Sequence, residues 1–161
     1  MRIYLPATLE LLVGARSAAG GRTTIDLAPG RAHTVTAALA AALPDEDQEG
    51  LEYSAHLAAA DDSLTALALA PAAPRLRLVL TLEVPDDVVV DAAGDAAILT
   101  PSAVDLGAPL EGATLVCAHV DEPEAAADVV ATLAGDDAAV ERLVERDLLW
   151  YDAIEIADIP R

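Results

Sequence analysis

The sequence predicts an α+β fold: a mixed sheet of about four to six strands with helices mainly on one face, on a ferredoxin-like plan with inserted helices. Three observations lead there. Leu76, Leu78, Leu80, Leu82 and Val84 alternate with Arg75, Arg77, Val79, Thr81 and Glu83, the period-two pattern of a strand with one buried face. Tyr53, Leu57, Ala60, Leu64 and Leu67 recur at spacings of four and three, the pattern of a one-sided helix. Strand-like and helix-like segments interleave along the chain, as a split β-α-β plan requires. The 161 residues fit one domain, taken as 1–161.

In chain order, Arg2–Leu5 reads as a strand with Ile3 and Leu5 on one face and Arg2 and Tyr4 on the other, ended by Pro6. A helix is expected from Thr8 to Ala19, stopped by Gly20-Gly21. A weak hairpin follows around Thr24–Val35, turning at Pro29-Gly30, and then a short helix capped by Thr34 or Thr36 and ended by Pro44. The acids of 45–49 open the long helix, because they favour the positive end of its dipole, and Pro71 and Pro74 close it. Residues 86–101 supply one or two short strands, and 112–120, apolar on both faces, a central strand. Helices are expected from Asp121 to Gly135, with Pro123 in the first turn, and over 136–147. The closing stretch from Arg146 to Arg161 alternates. It is expected to be a strand that buries Trp150, the only Trp of a chain without Phe, together with Ile154 and Ile156, and turns Tyr151, Ala153, Glu155 and Ala157 the other way.

Composition narrows the function classes. The chain has 28 acidic residues and nine Arg, no Lys, and a net charge of −19. Phosphate backbones and anionic lipid surfaces repel such a chain, so neither nucleic acid nor membrane is expected as a partner. The charge is uneven: residues 1–43 carry two acids against four Arg, whereas 44–161 carry 26 acids against five. Cys117 is alone, so no intrachain disulfide is expected. The first sixteen residues do not read as a signal peptide, because Pro6, Glu10 and Arg16 interrupt the apolar stretch. No apolar run approaches the ~20 residues that a bilayer needs, and the expected location is the cytoplasm.

Few residues point to chemistry. A phosphate-loop reading of Arg16–Thr24 fails, because Arg16 and Arg22 occupy the positions of the first Gly and the Lys. His119, Asp121 and Glu124 gather at a strand-to-helix junction, where a metal-dependent enzyme would place ligands. The same spacing from Asp121 to Glu124 is an ordinary helix start. Cys117 would need a low pKa and a base to act as a nucleophile, and its position in mid-strand reads as a buried thiol. Glu52 and His56, four apart, read as a solvated helix pair, and His33 has no recruiting partner.

The strand phases assemble one further constellation. If the Leu row faces the helices, then Arg2, Tyr4, Arg75, Arg77, Thr81 and Glu83 share the opposite face, and Tyr151 and Glu155 join them when Trp150 points inward. Such an Arg/Tyr face fits a homodimer or partner interface, an anionic-ligand site, or a plain solvated sheet face with cross-strand pairs. The acidic stretch 45–62 also fits a basic partner.

Four stretches, MRIYLPATLELL, EGLEYSAHLAAADDSL, HVDEP and LLWYDAIEI, resemble an uncharacterised family of small, acidic, Ala-rich proteins of high-GC bacteria. That resemblance implies a single domain and brings no established activity, cofactor or catalytic residue. The reading is a non-enzymatic cytoplasmic domain, without cofactor, that self-associates or binds a partner through its Arg/Tyr face. The alternative is a small metal-dependent enzyme using His119, Asp121 and Glu124.

Overall fold

The computed structural model describes residues 1–18, 20–92 and 100–160. Its strands are β1 (Arg2–Ala7), β2 (Arg16–Ser17), β3 (Thr23–Leu27), β4 (Gly30–His33), β5 (Leu78–Glu83), β6 (Val89–Asp91), β7 (Ala103–Leu106), β8 (Leu110–Val120) and β9 (Leu149–Asp152). Its helices are α1 (Ala37–Ala42), α2 (Gln48–Leu69), α3 (Ala126–Leu133) and α4 (Asp137–Val144). The strands form one sheet of order β2-β3-β8-β5-β1-β4-β7-β6, with β9 added to the half of β8 that lies beyond β3.

Among the described residues this α+β sheet has nine strands, not four to six, and every pairing is antiparallel, not mixed. The ferredoxin-like plan is overturned as well: α1 and α2 join β4 to β5 on either side of β1 as one split β-α-β unit, but the described residues form no second one, because α3 and α4 lead from β8 into its antiparallel neighbour β9. The additional strands are two to four residues long, too short for alternation to register. The helix expected over Thr8–Ala19 is absent from its described part: Leu11–Gly14 makes a single 3-10 turn and Arg16–Ser17 joins the sheet. Gly20 and Gly21, with φ of 80° and 74°, turn β2 into β3. Pro6 does not end β1, which runs on to Ala7. Of the segment expected to supply strands over 86–101, residues 93–99 lie outside the described residues; β6 comes from the rest.

The two faces of the sheet are exchanged relative to the expectation. The row of Ile3, Leu5, Leu78, Leu80 and Leu82, with Ala118 and Val120 beside it, faces away from the long helix. It is covered by Leu9, by Leu12 of the 3-10 turn and by Ile159 near the carboxy terminus. The other row, Tyr4 and Val79, lies under α2, whose Ala55, Ala59 and Ala60 are fully buried against it. Alanines at this contact let the helix backbone sit close to the sheet. A third apolar cluster, Leu67, Ala73, Ala125, Val129 and Leu143, fastens the end of α2 to α3 and α4.

A bulge in β8 sets the phase of the functional side chains. Thr81 pairs with Cys117 but Leu82 pairs with Leu115, leaving Val116 as the extra residue. Leu115 therefore faces the Leu row, whereas Cys117, His119 and Asp121 turn to the α2 side.

Candidate functional site

Helix α2 leaves a groove of about 860 Å3 between its flank and the segment that joins α4 to β9. The α2 wall is Glu49, Glu52, Tyr53, His56, Leu57 and Asp61, which follow one another at roughly one-turn spacing along a single side. Tyr4, Arg77 and His119 line it from the sheet, and Val144 and Arg146–Leu148 form the opposite wall. Trp150 pairs in register with His119, so its side chain continues the same sheet face beyond the groove.

Large apolar side chains stand exposed here. Tyr53 is 58% exposed, Leu57 46%, Val144 73% and Trp150 57%. Trp150 was expected in the core; the strand it occupies stops at Asp152, and Ile154 is exposed in the turn that follows. The expected helix stripe was displaced likewise: Leu51, Ala55, Ala59, Ser63 and Leu67 face inward, which leaves Tyr53 and Leu57 to the groove.

The imidazoles of His56 and His119 pack edge to face with centroids 4.4 Å apart, and the Tyr4 ring meets His56 at 5.9 Å. Burial, reinforced by His119, pulls the His56 pKa down to about 4, and burial lowers that of His119 too. His56 Nε2 is shielded from water and has no hydrogen-bond partner among the described residues. Tyr4 donates its hydroxyl to Glu52 Oε2 at 3.1 Å; burial, then the Glu52 charge, raises its pKa to about 12. Glu52 also accepts from Gln48 and Arg2, and these bonds, that from Gln48 foremost, hold its carboxyl below the usual range. The Cys117 thiol is buried, 4.0 Å from His119 Nδ1.

The predicted Arg/Tyr face does not assemble as an exposed surface. Arg77 and Tyr4 are buried on the α2 side. The Arg77 guanidinium clasps Asp121 through Nε and Nη2. Arg75 donates to the carbonyls of Leu67 and Pro71, where the negative end of α2 needs a cation. Arg2 is exposed and pairs with Glu52. Tyr151 packs on the opposite face, against the Leu-row cluster, and Glu155 is exposed and accepts from the Asp152 N–H. Nor do His119, Asp121 and Glu124 converge: Arg77 occupies both oxygens of Asp121, and Glu124 stands exposed in a 3-10 turn. Among the described residues, no three His, Cys, Asp or Glu side chains are disposed to hold a metal ion.

A second constellation was invisible in the sequence. His33 joins Ser102 through Nδ1 at 3.0 Å and Asp62 through Nε2 at 3.1 Å. The residue types are those of a hydrolytic triad, but the arrangement is inside out: Ser102 is only 2% exposed while the carboxylate faces solvent. A nucleophile must be reachable, so this is a clasp tying α2 to β4 and to the loop before β7. Its three residues lie 29 and 69 positions from one another along the chain, so no local spacing could announce them.

Over residues 1–159 the chain matches a family of unknown function, DUF6912, and it belongs to that family. No curated protein and no solved structure matches it.

Proposed function

We propose that this member of the family acts as a single, non-enzymatic binding domain whose groove beside α2 takes a basic, amphipathic segment of another protein. The observation that carries this reading is the concentration of exposed Tyr53, Leu57 and Val144 along one groove with an acidic lining, with exposed Trp150 next to it on the same sheet face. Aromatic and aliphatic side chains on a concave surface are what a docking segment desolvates. Asp47, Glu49, Glu52, Asp61 and Asp147 line the same groove, and its two cations are already engaged, Arg77 by Asp121 and Arg146 by Glu122 and Asp128. A positively charged segment is therefore attracted, whereas a second copy of a chain at −19 is repelled, which favours a heterologous partner over the homodimer. The non-enzymatic part rests on access: the Cys117 thiol and the Ser102 hydroxyl are both buried.

Trp150, the only Trp, is an intrinsic probe of occupancy. Titration with an amphipathic peptide carrying Arg and Leu on opposite helical faces should shift its emission, with affinity falling as salt rises from ~0.05 to ~0.3 M because screening weakens the charged contacts. An acidic peptide of the same apolar pattern should leave the emission unchanged. Equal responses to both peptides, or to neither, would sink the reading.

A further inference from the structure

We infer that the groove contains a dedicated seat for one arginine side chain of the docked segment, formed by His56 and Glu52. This rests on the reading of the groove as a docking site and adds the identity of its anchor. His56 and Glu52 are one helical turn apart on the groove side of α2, so their polar atoms can be bridged by one planar, multi-donor group. His56 contributes Nε2, which has no partner among the described residues. An orphaned buried nitrogen costs about 1–3 kcal/mol, a standing penalty that an incoming donor removes. The ring is neutral at pH 7, since burial disfavours its charged form; with its proton on Nδ1, Nε2 is an acceptor. Because Nε2 is enclosed, the seat requires the ring to turn about its Cβ–Cγ bond toward the groove that it lines.

Glu52 supplies the second acceptor. Its Oε2 is occupied by Tyr4 and Arg2, whereas Oε1 accepts only from Gln48 among the described residues. The Tyr4 hydroxyl and the Arg2 guanidinium hold that carboxylate in place before anything binds. A guanidinium has five donors in a fixed plane and is more weakly hydrated than an ammonium. It can therefore donate to His56 Nε2 and Glu52 Oε1 together, which a lysine, a compact and strongly hydrated point charge, does less well. The methylenes of the arginine would lie along Tyr53 and Leu57, both exposed at this wall.

Two measurements test the seat separately from the docking reading. The first is peptide affinity for the wild-type chain and for His56→Phe, which keeps a ring and removes the acceptor. Replacing the anchoring Arg of the peptide by Lys should weaken binding to wild type roughly tenfold and binding to H56F hardly at all. The second needs no variant and no peptide: addition of N-acetyl-arginine amide to the wild-type protein should move the nitrogen-15 resonance of His56 Nε2, and N-acetyl-leucine amide should not. Peptide binding that leaves His56 Nε2 unmoved and treats Arg and Lys alike overturns the seat while the docking reading survives. A His56 response to the arginine amide without any peptide binding supports the seat and removes the docking reading. Silence in both experiments removes both.

Discussion

Arg77 and Asp121 bind each other through three side-chain contacts of 2.8 to 3.2 Å, and the Arg77 backbone N–H adds a fourth bond to Asp121 Oδ2 at 2.7 Å. Both side chains are almost wholly removed from solvent. The pair therefore ties the start of β5 to the end of β8 at the foot of the groove. Arg77→Met should destabilise the fold by about 3–5 kcal/mol, because it strands a buried carboxylate. Arg77→Met combined with Asp121→Leu should recover part of that loss, since two apolar side chains need no counter-charge although the Arg77 backbone N–H loses its acceptor. Urea unfolding of the three proteins gives the answer, and a double variant as unstable as the single one would refute the argument.

Trp150 provides the opposite case. A core Trp replaced by Ala costs about 3–5 kcal/mol, but an exposed one costs little, so Trp150→Ala should change unfolding stability by less than ~1 kcal/mol. The same substitution should weaken binding of the basic peptide by about 1 kcal/mol, roughly fivefold, as expected of an exposed aromatic side chain that flanks the groove. Since the variant loses the intrinsic probe, calorimetry of the peptide titration is the measurement. A large loss of stability would return Trp150 to the core.

The contrast between these residues explains what the sequence discloses. Alternation over 74–85 located β5 correctly, but period two says only that two faces differ, not which of them a helix covers. Both faces of β5 are buried, one by the sheet's own apolar cluster and one by α2, so the polar row Arg77–Thr81 came to lie beneath a helix. In β8 the bulge at Val116 breaks the parity on which such reasoning depends, and nothing in Leu115-Val116-Cys117 signals it. The long helix was legible from its acidic start and its closing Pro71, and its side-chain cap comes from Asp47. Its buried stripe was misphased because Ala, abundant on every side of α2, carries too little hydrophobic contrast to reveal direction. Of the groove, His119, the acidity of 45–62 and the four-residue spacing of Glu52 and His56 are visible in the sequence; that the His56 ring is packed against His119 and not solvated comes only from tertiary packing.

The His33 clasp makes a separate prediction. Ser102→Ala removes one partner of a fully buried imidazole and should cost about 1–3 kcal/mol, the penalty of an unsatisfied polar atom. Because the hydroxyl is enclosed, a fluorophosphonate probe should not label Ser102 in the native protein. Mass spectrometry after incubation with the probe decides the point, and stoichiometric labelling would make the clasp a working triad.

The paired imidazoles should make stability fall on mild acidification. His56 titrates near 6.5 when unfolded and at about 4 when folded, so between those values the unfolded chain binds a proton that the native one does not. Stability therefore rises with pH across that window and is lost as pH falls through it. From pH 7 to pH 5 the His56 share is about 2 kcal/mol at most, because solvent reaches part of the ring. His119 pushes in the same direction, since burial lowers its pKa too. Tyr4, the other ring against His56, stays neutral throughout, and Glu52, one turn away, stays ionised because Gln48, Tyr4 and Arg2 stabilise its charged form. His56→Phe removes the titrating group without emptying the space, so its unfolding free energy should change less over pH 7 to 5 than that of wild type. Parallel urea titrations at pH 7, 6 and 5 measure the difference, and superimposable pH profiles for the two proteins would show that His56 is not the group responsible.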